Sequence, residues 1–196
     1  QLPTDCLNDI SEYLEEDGAT LRSCLLVNRL WCEVSVRILW RSIRNYNTLI
    51  ACLPNESKEI LSKNGIITST LASPTFNYPS FCKVLYVNEV NEEIGKLFKN
   101  LKKQQVVTQE IFKLLMNQIS LKKLVIYRPL YQPLYNIPKF TSFPGANNCL
   151  KDLKELRCQS DIDSELFYQL SQICRNIQSL RISFVKVISN GLADLI

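Results

Sequence analysis

Histidine is missing altogether from this chain of 196 residues. Its absence removes the commonest metal ligand, the commonest general base and the usual Ser-His and Cys-His nucleophile pairs. Glycine is scarce, and Gly18, Gly65, Gly95, Gly145 and Gly191 lie too far apart to form a phosphate-cradling loop. No apolar run approaches the roughly 18 residues that a membrane span needs. No secretory pattern opens the chain. Because it begins at Gln1 rather than Met, the natural amino terminus and any targeting signal are expected upstream. Carboxylates are scattered over helix faces, without a spacing that marks an acid–base pair. The expectation is a binding protein rather than an enzyme, with no cofactor, no metal and no membrane anchor.

Cysteine, by contrast, is plentiful: eight stand at positions 6, 24, 32, 52, 82, 149, 158 and 174. None pairs with another at the Cys-x-x-Cys spacing of redox and zinc sites. Cys6, Cys24, Cys158 and Cys174 occupy apolar positions of predicted helices or strands, where a thiol acts as a small hydrophobe. Disulfide frameworks suit small secreted scaffolds better than a chain of this size. Reduced thiols and a cytoplasmic or nuclear setting are therefore expected.

The net charge is +4 and unevenly spread. Residues 1–45 hold five Arg against seven acidic residues, net −2, which leaves +6 for the remainder. Lys96, Lys99, Lys102 and Lys103 recur at helical spacing and could meet phosphates. Without an aromatic stacking platform or a DNA-reading motif, a solvated helix face accounts for them better, and no nucleic acid partner is expected.

Residues 1–45 read as three short helices. Cys6, Leu7, Ile10, Tyr13 and Leu14 are expected on one face of the first, opposite Asp5, Asp9 and Glu12. Asp17-Gly18 interrupts, and Leu21, Cys24 and Leu25 follow. The third pattern, LVNRLWCEVSVRILWRSI over 26–43, has two apolar arcs. Val27, Trp31, Val34 and Ile38 form one; Val36, Trp40 and Ile43 form another, nearly opposite. A helix apolar on both sides lies between two layers. So few residues make only a marginal core, so the second layer must come from the rest of the chain or from another protein.

Leu2-Pro3, Leu7, Ile10, Leu14, Leu21, Leu25, Val27-Asn28, Trp31 and Ile38-Leu39-Trp40 follow one another in an order that resembles the F-box. The resemblance covers residues 2 to about 44, including both tryptophans. Thr4-Asp5-Cys6 departs from the acidic-then-aliphatic pattern of many members. The resemblance implies a docking module for the Skp-type adaptor of SCF ubiquitin ligases, and through it a cullin, by helix-in-groove packing. Carried over by position, it implies adaptor contacts at Leu2, Pro3, Leu7, Ile10, Leu14, Leu21, Leu25, Val27 and Trp31. Val36, Trp40 and Ile43 are expected to pack between domains.

Residues 46–80 read as a connector. Leu49, Ile50 and Leu53 make one turn, Pro54 opens a helix that Asn64-Gly65 closes, and TSTLASPTFNYPS over 68–80 is a loop. Thereafter Cys82-x-x-Leu85-x-Val87, Leu121-x-x-Leu124-x-Ile126, Leu153-x-x-Leu156-x-Cys158 and Ile177-x-x-Leu180-x-Ile182 match the strand segment of a leucine-rich repeat. Helical patterns separate them: Ile94, Leu97, Phe98, Leu101; Ile111, Leu114, Leu115, Ile119; and Leu166, Leu170, Ile173, Cys174. The central leucines lie 39, 32 and 24 residues apart (85 to 124, 124 to 156, 156 to 180), and only the last interval is regular. The asparagine expected after the strand is displaced, Asn88 being the nearest candidate. The fold class expected is an α/β (or α+β) solenoid: a three-helix F-box over 1–45, then an irregular leucine-rich-repeat-like array of parallel strands and helices over 81–196, truncated at its carboxyl end.

Side chains between the apolar positions should face outward. Tyr86, Val125, Arg157 and Arg181 form the expected target-binding column, flanked by Val84, Lys123, Glu155 and Ser179 and by Asn88, Tyr127, Gln159 and Ser183. YRPLYQPLYNIP over 127–138 is either an interaction arm or a packed insertion. The reading is thus a substrate receptor of an SCF-type ligase, with no chemistry of its own. The alternative is a self-contained repeat scaffold whose helical cap has nothing to do with ubiquitination.

Overall fold

The computed structural model describes residues 3–67, 74–127, 139–185 and 188–194. It is a mixed α/β structure with one four-stranded parallel sheet. Three short helices come first: α1 (Thr4–Tyr13), α2 (Gly18–Cys24) and α3 (Arg29–Leu39). The starts of α2 and α3 are set by side chains that accept otherwise unpaired backbone N–H groups. The Asp17 carboxylate accepts from the N–H of Thr20 and the Asn28 side-chain oxygen from that of Trp31, each at 3.0 Å. Such caps are worth about 1 kcal/mol each.

Helical turns do occupy the expected connector, and they pack on the main core. Helices α4 (Tyr46–Ala51) and α5 (Asn55–Lys63) send Tyr46, Leu49, Ile50, Leu53 and Leu61 into the main core. Pro54 sits just before α5, and Gly65 turns the chain away from it at φ +68°. Of the expected loop over 68–80, residues 68–73 lie outside the described residues.

The sheet region then alternates strand and helix. The strands are β1 (Val84–Tyr86), β2 (Lys123–Ile126), β3 (Glu155–Gln159) and β4 (Ser179–Ser183), ordered β1-β2-β3-β4 as they occur in the chain. Helices α6 (Val87–Leu97) and α7 (Leu101–Gln118) connect the first pair, α8 (Ala146–Leu150) lies between the second, and α9 (Ser164–Ile173) joins the third. The short α8, and the 3-10 turns at Tyr78–Phe81, Phe140–Ser142 and Asn190–Asp194, have no counterpart in the sequence reading. They are too short to show a period.

Register follows the repeated motif. Leu85, Leu124, Leu156 and Leu180 are aligned across the sheet. The first three are fully buried, while Leu180 and Ile182 on β4 only pack against the core's margin. Burying a leucine side chain is worth about 1.5–3 kcal/mol, so this row contributes substantially to the sheet's stability. Phe112 of α7 and Phe140 stack at 5.6 Å beneath it. Gly145, at φ +84°, brings the start of α8 against the end of α7, where a Cβ would meet the Met116 carbonyl oxygen at 2.6 Å.

One backbone pattern runs through the molecule. At the start of each strand a single carbonyl accepts two successive N–H groups from the next strand. The Lys83 carbonyl accepts from Lys122 (2.8 Å) and Lys123 (3.0 Å), and the Lys122 carbonyl accepts from Lys154 and Glu155 (both 2.9 Å). The Lys154 carbonyl accepts from Gln178 (2.8 Å) and Ser179 (3.0 Å). The series begins outside the sheet, where the Arg41 carbonyl accepts from Lys83 and Val84, both at 2.8 Å, and Ser42 bridges Val84 in parallel. The segment after α3 therefore forms a rung before the first strand.

That rung corrects the reading of 26–43 as one continuous helix. Were α3 to continue, the Arg41 carbonyl would bond the N–H of residue 45. Instead α3 stops at Leu39, Trp40 is its cap, and Ile43 lies beyond the helix against the main core. Trp40 does meet the expected connector, its ring lying 4.4 Å from that of Tyr78, and Val36 is buried.

Candidate functional site

Helix α1 divides its apolar residues differently from the expectation. Leu7 and Ser11 are buried and Leu14 is half-buried, at intervals of four and three that mark one inward stripe. Pro3, Cys6, Ile10 and Tyr13 form a second stripe, and all four are exposed. Ile10 is 40% and Tyr13 91% accessible. The turn after α2 adds Leu26 at 88% and Val27 at 59%. The outer surface of the trio is thus apolar at several points where water would favour polar side chains.

Of the residues that the resemblance assigns to adaptor contact, Pro3, Ile10 and Val27 are exposed. Leu14, Leu25 and Trp31 are half-buried. Leu7 and Leu21 are fully buried inside the chain and cannot meet a partner, which corrects their assignment. Leu21 forms the trio's core with Ile38 and Leu39, against which Leu14, Leu25 and Trp40 pack. Leu2 lies outside the described residues. Tyr13 and Leu26 are the exposed apolar residues that sequence reasoning passed over as contacts. Their signal was available: Tyr13 follows Pro3, Cys6 and Ile10 at helical spacing, and Leu26 sits between a helix end and the Asn28 cap.

The sheet face is a second candidate surface. Tyr86, Val125, Arg157 and Arg181 are aligned in register, as the repeated motif implies. Their accessibilities differ. Val125 is buried at 3%, flanked in the column by the longer Tyr86 and Arg157, and cannot read a partner as expected. Tyr86 and Arg157 are half-buried and Arg181 is exposed. The Arg157 Nε donates to the Glu155 carboxylate at 2.6 Å, and the Lys123 Nζ lies 3.2 Å from that same carboxylate. Hydrogen bonding from Arg157, joined by Lys123 and outweighing partial burial, holds the Glu155 carboxyl below its ordinary 4.5. The middle of the column is thus electrostatically satisfied from within.

Asn88, expected to flank the column, instead lies in the first turn of α6. Its side-chain oxygen accepts from the N–H of Tyr127 at 2.9 Å, and its amide nitrogen donates to the Tyr127 carbonyl. One amide thereby completes both backbone groups of the residue that follows β2. The rest of the Pro-Tyr stretch, residues 128–138, lies outside the described residues.

Between the trio and the first strands is a cleft of about 780 Å³, into which Asn8, Val34, Arg37, Phe81, Lys83 and Lys122 all project. Arg41 forms one wall. Its guanidinium pairs with Glu12 and, at 2.9 Å, with Glu15. Burial works against that charge, but the two carboxylates outweigh it and raise the Arg41 pKa further. Aromatic rings close the back of the joint, with Phe76 5.8 Å from Tyr78 and 6.5 Å from Phe81.

All eight cysteines are free thiols. Burial pushes Cys82, Cys149 and Cys174 up to about 12 and Cys158 to about 11, which suppresses the reactive thiolate. Cys6 is exposed, against its expected apolar burial. Among the described residues no cluster of Cys, Asp or Glu could hold a metal ion. In the lysine cluster, Lys96 pairs with Glu93, and the Lys103 Nζ donates to the Gly65 carbonyl at 2.6 Å. No described helix is long and apolar enough to cross a membrane. Comparison with protein-family models, with curated proteins and with solved structures finds no match to this chain.

Proposed function

We propose that this chain is a non-catalytic substrate receptor of an SCF-type ubiquitin ligase. On this reading α1–α3 are an F-box that binds a Skp-type adaptor and, through it, a cullin. The strand–helix units form an irregular leucine-rich-repeat-like solenoid that holds a target protein. The observation that carries the reading is the outer stripe Pro3, Cys6, Ile10 and Tyr13 on α1, left uncovered although each inward position is filled. Helix-in-groove docking requires such a stripe. Eight free thiols suit the reducing cytoplasm or nucleus where such a receptor would act. Its contribution is the effective concentration and orientation of two other proteins.

The test is co-purification with a co-expressed Skp-type adaptor. Tyr13→Asp and Val27→Asp, both at exposed positions, should abolish retention without unfolding the protein. A wild-type chain that folds and leaves the adaptor behind defeats the proposal. Leu7→Asp is the wrong probe, since it would break the trio from within.

A second reading has its own support. The Arg41 rung and the Trp40–Tyr78 contact seat the trio on the sheet's first edge, as a cap would sit. A self-contained scaffold of this kind would keep its fold and its target while ignoring the adaptor.

A further inference from the structure

The cleft between the trio and the sheet carries an unbalanced charge. Two carboxylates line it, Glu12 and Glu15, and Arg41 engages both. Arg37, Lys83 and Lys122 line it too, and none of these three pairs with a carboxylate among the described residues. Lys83 and Lys122 immediately precede adjacent strands and are joined by the shared-carbonyl bonds, and Lys154 occupies the next rung. Strands lie about 4.8 Å apart, so three ammonium side chains start from three successive rungs. Like charges on neighbouring strands oppose sheet formation. Stability alone would not select this row; a negatively charged occupant would turn its repulsion into attraction. Beside it, the half-buried Phe81 and Val84 give the cleft an apolar floor.

Resting on the receptor reading above, we infer that this cleft takes an acidic, extended segment of the target protein. Aspartate or glutamate side chains meet Arg37, Lys83 and Lys122, and a bulky apolar residue lies on the Phe81–Val84 floor. Separate lysine point charges fit several single carboxylates, whereas a phosphate favours convergent, bidentate arginines. Nucleic acid fits poorly: Glu12 and Glu15 stand in the wall, and the nearby rings of Trp40, Phe76, Tyr78 and Phe81 pack on one another rather than offering a free stacking face.

The test is fluorescence anisotropy with the full chain and four labelled probes. These are an Asp/Glu-rich peptide containing one leucine, its Asn/Gln counterpart, its phosphoserine counterpart and oligothymidylate. The acidic peptide should bind saturably and weaken with salt. Lys83→Glu/Lys122→Glu should weaken it at least about tenfold, while Lys99→Glu/Lys102→Glu, with the same charge change elsewhere, should change it less than about threefold. Lys83→Gln/Lys122→Gln repeats the measurement should the reversal unfold the chain. Equal losses in both pairs overturn the inference. So do binding of the Asn/Gln peptide as tight as that of the acidic one, tighter binding of the phosphoserine peptide or oligothymidylate, or no saturable binding. Adaptor co-purification is read in parallel. Adaptor kept with no peptide bound defeats this inference alone; peptide bound with no adaptor kept defeats the receptor reading alone.

Discussion

The trio at residues 3–39 and the sheet region beyond residue 46 differ in how much apolar core they enclose. In the sheet region Leu85, Leu124, Leu156, Phe112, Phe140 and Phe167 are all fully buried in one continuous core, and α4 and α5 close its flank. In the trio, Leu21, Ile38 and Leu39 make a small core, while Ile10, Tyr13, Leu26 and Val27 face outward. So small a cluster gives little independent stability. The sheet region encloses a continuous core and still leaves Ile67, Leu101 and Phe184 exposed, whereas the trio encloses only a small core and is joined to the sheet through the backbone bonds at Arg41.

The sharpest way to break this comparison is to open the larger core. Phe112→Ala removes a fully buried ring stacked on Phe140 and should cost about 3–5 kcal/mol in denaturant unfolding. Leu21→Ala should fall in the lower part of the about 2–5 kcal/mol range, because a small core collapses more readily around the gap. Hydrogen exchange should then quicken in α1–α3 and leave β2 and β3 protected. Uniform quickening would mean that the two regions unfold as one.

Smaller changes sharpen the contrast. The Ser57 hydroxyl donates to buried Glu110 at 2.7 Å, tying α5 to α7. Ser57→Ala removes that donor from a carboxylate otherwise met by Lys113, and should cost about 1–3 kcal/mol in urea unfolding. On the sheet face, the lowered Glu155 carboxyl contributes stability above its unfolded value, near 4.5, that is lost as pH falls through the lower folded value. An NMR titration should place its midpoint under 4.5, and Arg157→Ala should move it upward. Least of all, Tyr13→Asp should change stability by no more than about 0.5 kcal/mol while abolishing adaptor retention. If it unfolds the trio instead, the outward stripe is part of the fold.

Much of the sheet was legible because strand registry repeats. Three apolar residues recurring as Leu-x-x-Leu-x-Leu located all four strands and aligned their leucines correctly. The faces of α1 were harder. Ser11 occupies an inward position and hides that stripe, while Cys6, Ile10 and Tyr13 look like core. The end of α3 was invisible for a different reason. Val36, Trp40 and Ile43 keep helical spacing, but the Arg41 carbonyl is recruited by a strand some forty residues on, and a carbonyl has no side-chain signature. The unpaired lysines of the cleft were equally hidden, because their isolation depends on which cation captures Glu12 and Glu15.

The rung at Arg41 also bears on how such a molecule can diversify. Its two bonds are made by main-chain atoms, which nearly any residue supplies. Side chains on the sheet face can therefore be exchanged freely without re-aiming that face relative to α1. Only proline at position 83 or 84 would remove a donor. The link between the two regions is fixed by main-chain bonds, so side chains can change while that link stays constant.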